Sequence, residues 1–175
     1  YSKPEQLVAK CKEFGYKSCA ITDINTISGA VAFYKTCKKN DIKPIIGCTF
    51  EFENHKPTTL LAKNKDGWFD LIDLVSKKNS YSDDVVYKLL KSHRENLICI
   101  DKLKQQPSYY AETKDAELHR ILLCSGMKTT MGKSKERLKQ DDFKKLKGFF
   151  ESDKYYMLSP SEVESHYNSD TIQKV

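Results

Sequence analysis

Apolar positions along the chain alternate between two rhythms, a helical stripe and a short continuous block. Leu7, Val8, Cys11 and Phe14 form the first stripe, opened by Ser2-Lys3-Pro4-Glu5, which reads as a capping box with proline in the first turn, and stopped by Gly15. Residues 18 to 22 are a block that suits a short buried strand, and Ala30, Phe33, Tyr34 and Cys37 lay out one face of a second helix over 29 to 39. Strand, loop and helix in that order predict a βα unit, with Asp23 at the mouth of its strand.

Ile42-Lys43-Pro44-Ile45-Ile46-Gly47 runs on into Cys48 to Glu53, where apolar and acidic residues alternate, and Asn54 to Pro57 turns the chain into Thr58 to Ala62. The pattern predicts a core strand entering a hairpin. Trp68, Leu71, Ile72 and Val75 mark another helix, Val85 to Leu90 a shorter one, and Asn96 to Ile100 a buried strand ending at Asp101. Asp115 to Cys124 is helical, Tyr155 to Met157 a short strand, and Ser159-Pro160-Ser161-Glu162 opens a last helix. Helices alternating with apolar strands predict α/β packing on parallel strands. No internal repeat or low-complexity linker interrupts the series.

A chain of 175 residues can bury a real core as one unit. With 39% hydrophobic and 31% charged residues the composition is that of a soluble protein, and no apolar run approaches the roughly 20 residues that span a bilayer. No membrane role is expected. The six cysteines, at 11, 19, 37, 48, 99 and 124, lack CxxC spacing and read as reduced core thiols of a cytoplasmic protein. Tyr1 begins in mid-phrase, without methionine or leader, so the chain reads as a fragment. Charge changes the picture in one place: residues 128 to 147 hold eight basic side chains against three acidic ones, +5 of the net +6.

Four stretches invite chemistry. Gly126 to Ser134 imitates a phosphate-binding loop, but five residues separate Gly126 from Gly132 where four are needed, and a helix precedes it instead of a strand. His55, His93, His119 and His166 have no paired spacing, and His119 beside Leu118 and Leu122 reads as a structural histidine. Glu51 and Glu53 share one strand face, as an acid/base pair or as the solvated side of a hairpin. The basic segment offers Lys128, Lys133, Lys135, Arg137 and Lys139 as candidate nucleic-acid contacts, with Phe143, Phe149 and Phe150 near for stacking; a solvated surface explains the charges equally.

Thr22-Asp23 with Ser28-Gly29-Ala30-Val31, Ile42 to Cys48, Leu60 to Asn64, Asp115 to His119 with Leu122-Leu123-Cys124, and Ser152-Asp153 through Glu162 together resemble a known domain. It is the N-terminal PHP (polymerase and histidinol phosphatase) domain of C-family replicative DNA polymerases, the bacterial DNA polymerase III α subunit and its phage relatives. The resemblance implies an α/β fold, a shortened and distorted β/α barrel of PHP type, open or incomplete, over residues 1 to 125. Residues 126 to 175 would be a basic segment and exit towards a polymerase core.

Active members of that family hold divalent metals at the strand ends through histidine and carboxylate ligands. Carried over position by position, only Asp23 is retained: Ile24 stands for a histidine, Thr49 for a glutamate and Tyr109 for a further histidine, and the opening His-x-His is not present. One carboxylate does not make a metal site. The resemblance therefore implies no catalytic or metal-binding residues and no cofactor, a degenerate domain acting as scaffold or contact surface in DNA replication. Its partners would be the polymerase core of the same parent, DNA, and a proofreading exonuclease or other replisome protein. The enzyme alternative is a PHP phosphoesterase or 3'-5' proofreading nuclease that takes manganese or zinc through unseen ligands or through Glu51, Glu53 and Asp101. A third reading is a stand-alone module that imitates the polymerase domain to capture a replication protein or DNA. Under the degenerate reading, Asp23 would cap the following turn through its side chain.

Overall fold

The computed structural model describes residues 3–92, 95–100 and 108–166. Contacts divide the chain into two units, Cys11–Lys104 and Tyr1–Lys10 with Gln105–Val175. The elements run α1 (Pro4–Glu13), β1 (Ser18–Ile21), α2 (Ala30–Lys39), β2 (Lys43–Phe50), β3 (Thr58–Ala62), α3 (Lys65–Lys78), α4 (Asp83–Ser92) and β4 (Leu97–Cys99). They continue with α5 (Ala116–Gly126), α6 (Ser134–Arg137), α7 (Lys147–Glu151) and α8 (Pro160–His166).

The first unit is built on an open four-stranded sheet ordered β1-β2-β3-β4, an arrangement consistent with an incomplete barrel. β1 and β2 pair in parallel from Ser18↔Lys43 to Ile21↔Ile46, because the single helix α2 returns the chain to the starting end. The β2–β3 pairing is the hairpin the sequence predicts, and only the β3–β4 pairing departs from the parallel packing expected. β2 and β3 are antiparallel from Gly47↔Leu61 to Phe50↔Thr58, since the short connection between them can only reverse direction. β3 and β4 are antiparallel from Leu60↔Cys99 to Ala62↔Leu97, two helices instead of one lying between them.

Both outer strands are less buried than their apolar sequences suggest. In β1 only Cys19 is buried, and in β4 Leu97 is buried while Ile98 and Cys99 face solvent, because each strand lies at an edge of the sheet formed by the described residues. The core lies over β2, β3 and β4, where Cys48, Phe50, Phe52, Leu60 and Leu97 meet Leu71 and Leu74 of α3 and Val86 and Leu90 of α4. Asn64 starts α3 by accepting the Gly67 N–H at 2.9 Å, and lysines 77 and 78 close it. β2 passes so close to its neighbours at Gly47 that a Cβ there would lie 2.5 Å from the Leu60 carbonyl oxygen.

The second unit is helical. The last turn of α5 supplies Cys124, and Met127 and Leu138 close on it with Phe143, Leu146 and Phe150. That shared core joins α5 to the basic segment. The strand expected at 155 to 157 is a single parallel bridge, Tyr110↔Tyr156. Ser159 and Glu162 cap α8 as the sequence indicates: the Ser159 N–H donates to Glu162 Oε2 at 2.8 Å and the hydroxyl donates to it at 2.7 Å. Ser2 and Asp101, invoked above for the first cap and as a substitute ligand, lie outside the described residues, as does His93.

Candidate functional site

β1 ends at Ile21, yet the backbone keeps its ladder for a few residues more. The Thr49 N–H donates to the Asp23 carbonyl at 3.1 Å and the Asn25 N–H to the Thr49 carbonyl at 2.8 Å, which makes Ile24 and Thr49 a parallel bridge. Ile24 and Thr49, the residues standing where the family resemblance expects histidine and glutamate, are therefore direct neighbours across the strand ends. Asn25 then takes φ +53°, a left-handed conformation that asparagine tolerates, and its Oδ1 accepts the Glu51 N–H at 3.0 Å. Thr26 Oγ1 accepts the Ser28 N–H at 3.2 Å, and the chain enters α2 after Gly29.

Asp23 sits beside that turn without capping it. Among the described residues its carboxylate accepts no hydrogen bond, and the capping role expected of it is filled by Asn25 and Thr26. A Cβ added at Gly29 would lie 3.3 Å from Asp23 Oδ2, so the carboxyl lies against the start of α2. The residue stays accessible to water, but partial desolvation holds its pKa above the ordinary carboxylate value. Below it the Cys48 thiol is pushed up to about 11, first by burial and further by the Asp23 charge, against backbone N–H groups of Thr26 and Asn25 that favour its thiolate.

This donor set does not fit a divalent cluster. Ile24 is 40% exposed and offers carbon only, and the Thr49 hydroxyl is already engaged with Thr59 Oγ1 at 3.0 Å. A hard cation needs several oxygen or nitrogen donors converging on it. Glu51 and Glu53 do not supply them as a strand-face pair, because β2 ends at Phe50. Beyond it the Glu51 backbone is held by Asn25, and the Glu53 N–H donates to Asp83 Oδ2 at 2.9 Å. Among the described residues no group of three His, Cys, Asp or Glu side chains converges as a metal set. His55 bonds Asp84 Oδ1 at 2.7 Å and stacks on Tyr87 with centroids 4.0 Å apart.

Tyr109 belongs to the helical unit and sits in an aromatic cluster. Its N–H and that of Tyr110 both donate to the Tyr155 carbonyl, at 2.8 and 3.3 Å. The Tyr109 ring meets Phe149 at 4.7 Å and His119 at 5.7 Å. His119 is 9% exposed and also packs on Tyr110 and Phe149, at 5.6 and 5.0 Å. Burial pushes its pKa down to about 4, helped by the Arg120 charge, so it is neutral at pH 7. Arg120 clamps the cluster: its Nε donates to the Phe149 carbonyl at 2.8 Å and its guanidinium pairs with Asp153. Sequence reasoning missed this assembly, although three aromatic doublets, 109–110, 149–150 and 155–156, signal it.

The candidate nucleic-acid residues divide in two. Lys128, Lys133, Lys135 and Lys139 are exposed. Arg137 turns inward, its Nε donating to the Met127 carbonyl at 2.9 Å and its guanidinium lying 5.3 Å from the Phe143 ring centroid. Further along, Lys144 pairs with Asp141 at 2.6 Å and Lys147 with Glu151 at 3.3 Å. Gly126 ends α5 and residues 131–133 form a 3-10 turn, so the glycine-rich stretch is not a strand-to-helix phosphate loop.

Among known proteins, residues 1–158 match the PHP domain family. Similar curated proteins include the DNA polymerase III subunit alpha of Buchnera aphidicola subsp. Schizaphis graminum, 43% identical over 43% of this chain and 7% of that protein. The subunit of the same name from Bacillus subtilis is 39% identical over 55% of this chain and 9% of its own length. That of Aquifex aeolicus is 34% identical over 66% of this chain and 12% of its own. The chain thus spans only about a tenth of the length of these relatives.

Proposed function

The chain belongs to the PHP domain family, and from that premise we propose that it is a non-catalytic PHP-like domain of a replicative C-family DNA polymerase. It works in the cytoplasm as scaffold and contact surface. The observation that supports this reading is the Ile24–Thr49 bridge: the two positions where the family resemblance expects ligands are neighbours across the strand ends, and they hold an alkyl side chain and a hydroxyl bonded elsewhere.

On this reading the residues of the site have mechanical work. Asn25 locks the end of β1 onto the stretch after β2, Gly47 lets β3 approach, and Asp23 is left as a lone acid beside α2. The partners implied are the polymerase core of the same parent, DNA approached by Lys128, Lys133, Lys135 and Lys139, and a proofreading exonuclease or another replisome protein. Among the described residues no helix is long and apolar enough to cross a membrane.

The test is to incubate the purified chain with manganese and with zinc, remove free metal, and measure bound metal by mass spectrometry alongside hydrolysis of p-nitrophenyl phosphate and of a 3'-labelled oligonucleotide. Substoichiometric metal without turnover is expected. A stoichiometric cluster with metal-dependent hydrolysis would establish the phosphoesterase or proofreading nuclease instead.

A further inference from the structure

The sheet unit is polarised along its parallel strands. The carboxyl-terminal ends carry Asp23, with Glu51 and Glu53 just beyond β2, whereas the opposite end gathers the closing turns of two helices and the starts of two strands. Lys12 lies in the last turn of α1, whose Cys11 carbonyl accepts the Tyr16 N–H at 2.9 Å, and Lys17 precedes β1. Lys38 and Lys39 close α2, and Lys43 opens β2, its N–H donating to the Lys17 carbonyl at 2.9 Å. All five lysines are exposed, with the acidic Glu13 and Asp41 beside them in sequence. Among the described residues none of the five has a carboxylate partner, in contrast to Lys77, Lys78, Lys144 and Lys147, which are paired.

Helix dipoles account for Lys12, Lys38 and Lys39 one at a time. They do not account for Lys17 and Lys43 at strand starts, or for five unpaired cations at one end of a small unit. Beside them Tyr34 is 48% exposed one turn before Lys38, whose Nζ lies 5.8 Å from the ring centroid, so an accessible aromatic face stands at the margin of the patch. Unpaired lysines neutralise phosphates with release of counterions, and an exposed aromatic ring stacks on any unpaired base. We propose that this end of the sheet unit, Lys12, Lys17, Lys38, Lys39 and Lys43 with Tyr34, binds the phosphate backbone of single-stranded nucleic acid. It is a surface separate in sequence from residues 128–147 and from the Asp23 end, and it goes beyond the scaffold role without depending on whether a metal binds.

The experiment is fluorescence anisotropy of a fluorescein-labelled oligothymidylate titrated with the full chain across a salt series. Lys17→Glu/Lys43→Glu and Lys12→Glu/Lys39→Glu should each weaken binding at least about tenfold and reduce the salt slope by at least about 1.4, the value of two phosphate contacts on a single strand. Tyr34→Ala should weaken binding by about tenfold with the slope unchanged. All these positions are exposed, so melting temperatures should match the wild type. Absence of wild-type binding at low salt would overturn the proposal. So would wild-type affinity and slope in both lysine pairs, including the case where only Lys133→Glu/Lys135→Glu loses binding. Lysine effects with an indifferent Tyr34→Ala would also overturn it, in favour of a surface for acidic polypeptide.

Discussion

Replacing Asn25 separates two physical roles that one residue performs at the end of β1. Its backbone is left-handed at φ +53°, and its Oδ1 is the acceptor for the half-buried Glu51 N–H at 3.0 Å. Asn25→Ala loses both: stranding that N–H costs about 1–2 kcal/mol, and a left-handed alanine costs about 1–2 kcal/mol more. Asn25→Gly keeps the conformation and loses only the acceptor, about 1–2 kcal/mol, while Asn25→Asp keeps both. With each kcal/mol worth about 2–4 °C in a chain of this size, Asn25→Ala should melt roughly 4–16 °C below wild type and Asn25→Gly about half as far below. Circular-dichroism melts should rank wild type and Asn25→Asp together, then Asn25→Gly, then Asn25→Ala. Asn25→Ala melting with the wild type would refute the claim that this turn holds the strand ends in place.

His119 carries a pH dependence. Its folded pKa of about 4 lies below the unfolded value of 6.5, so the unfolded chain binds the extra proton first as pH falls, and its contribution to stability is present above pH 6.5 and lost as the pH drops towards 4. Urea titrations should show roughly 2–3 kcal/mol less stability at pH 4.5 than at pH 7 from this group, a difference that His119→Gln removes. Gly47→Ala would force a methyl group to within 2.5 Å of the Leu60 carbonyl and 3.1 Å of Thr22, where backbone must move; a loss of about 3 kcal/mol is expected in chemical denaturation. Arg137→Ala should cost about 1–2 kcal/mol by stranding the Met127 carbonyl, whereas exposed Lys135→Ala should stay within about 0.5 kcal/mol of wild type.

Local chemistry made much of the fold legible. The stop at Gly15, the cap at Ser159-Glu162 and the apolar stripes of α2, α3 and α5 each announce an element through the chain nearby. Strand direction and edge position are set by what lies across the sheet, which no local pattern contains: Asn96 to Ile100 reads as buried, yet among the described residues no strand pairs with β4 beyond β3. At the candidate site the apolar run ending at Asp23 marks the strand mouth, whereas the family resemblance puts Ile24 and Thr49 only at two lost ligand positions, and the bridge between them appears in the structure alone. Acids commonly cap turns, which points to Asp23 in the sequence, but the acceptor has to reach the Glu51 N–H, and the left-handed Asn25 two places on is the residue that does. Arg137 looked like one cation among eight, and only the packing of Met127 and Phe143 shows that its charge is spent inside.

The central claim is a PHP frame kept with its ligand set lost, and calorimetric titration of manganese and of zinc tests it most directly when run on the wild-type chain beside Ile24→His/Thr49→Glu. The wild type should give no saturable heat, while the double variant, which sets an imidazole and a carboxylate across the bridge next to Asp23, should acquire weak saturable binding that Asp23→Asn abolishes. Stoichiometric binding by the wild-type chain would contradict the account.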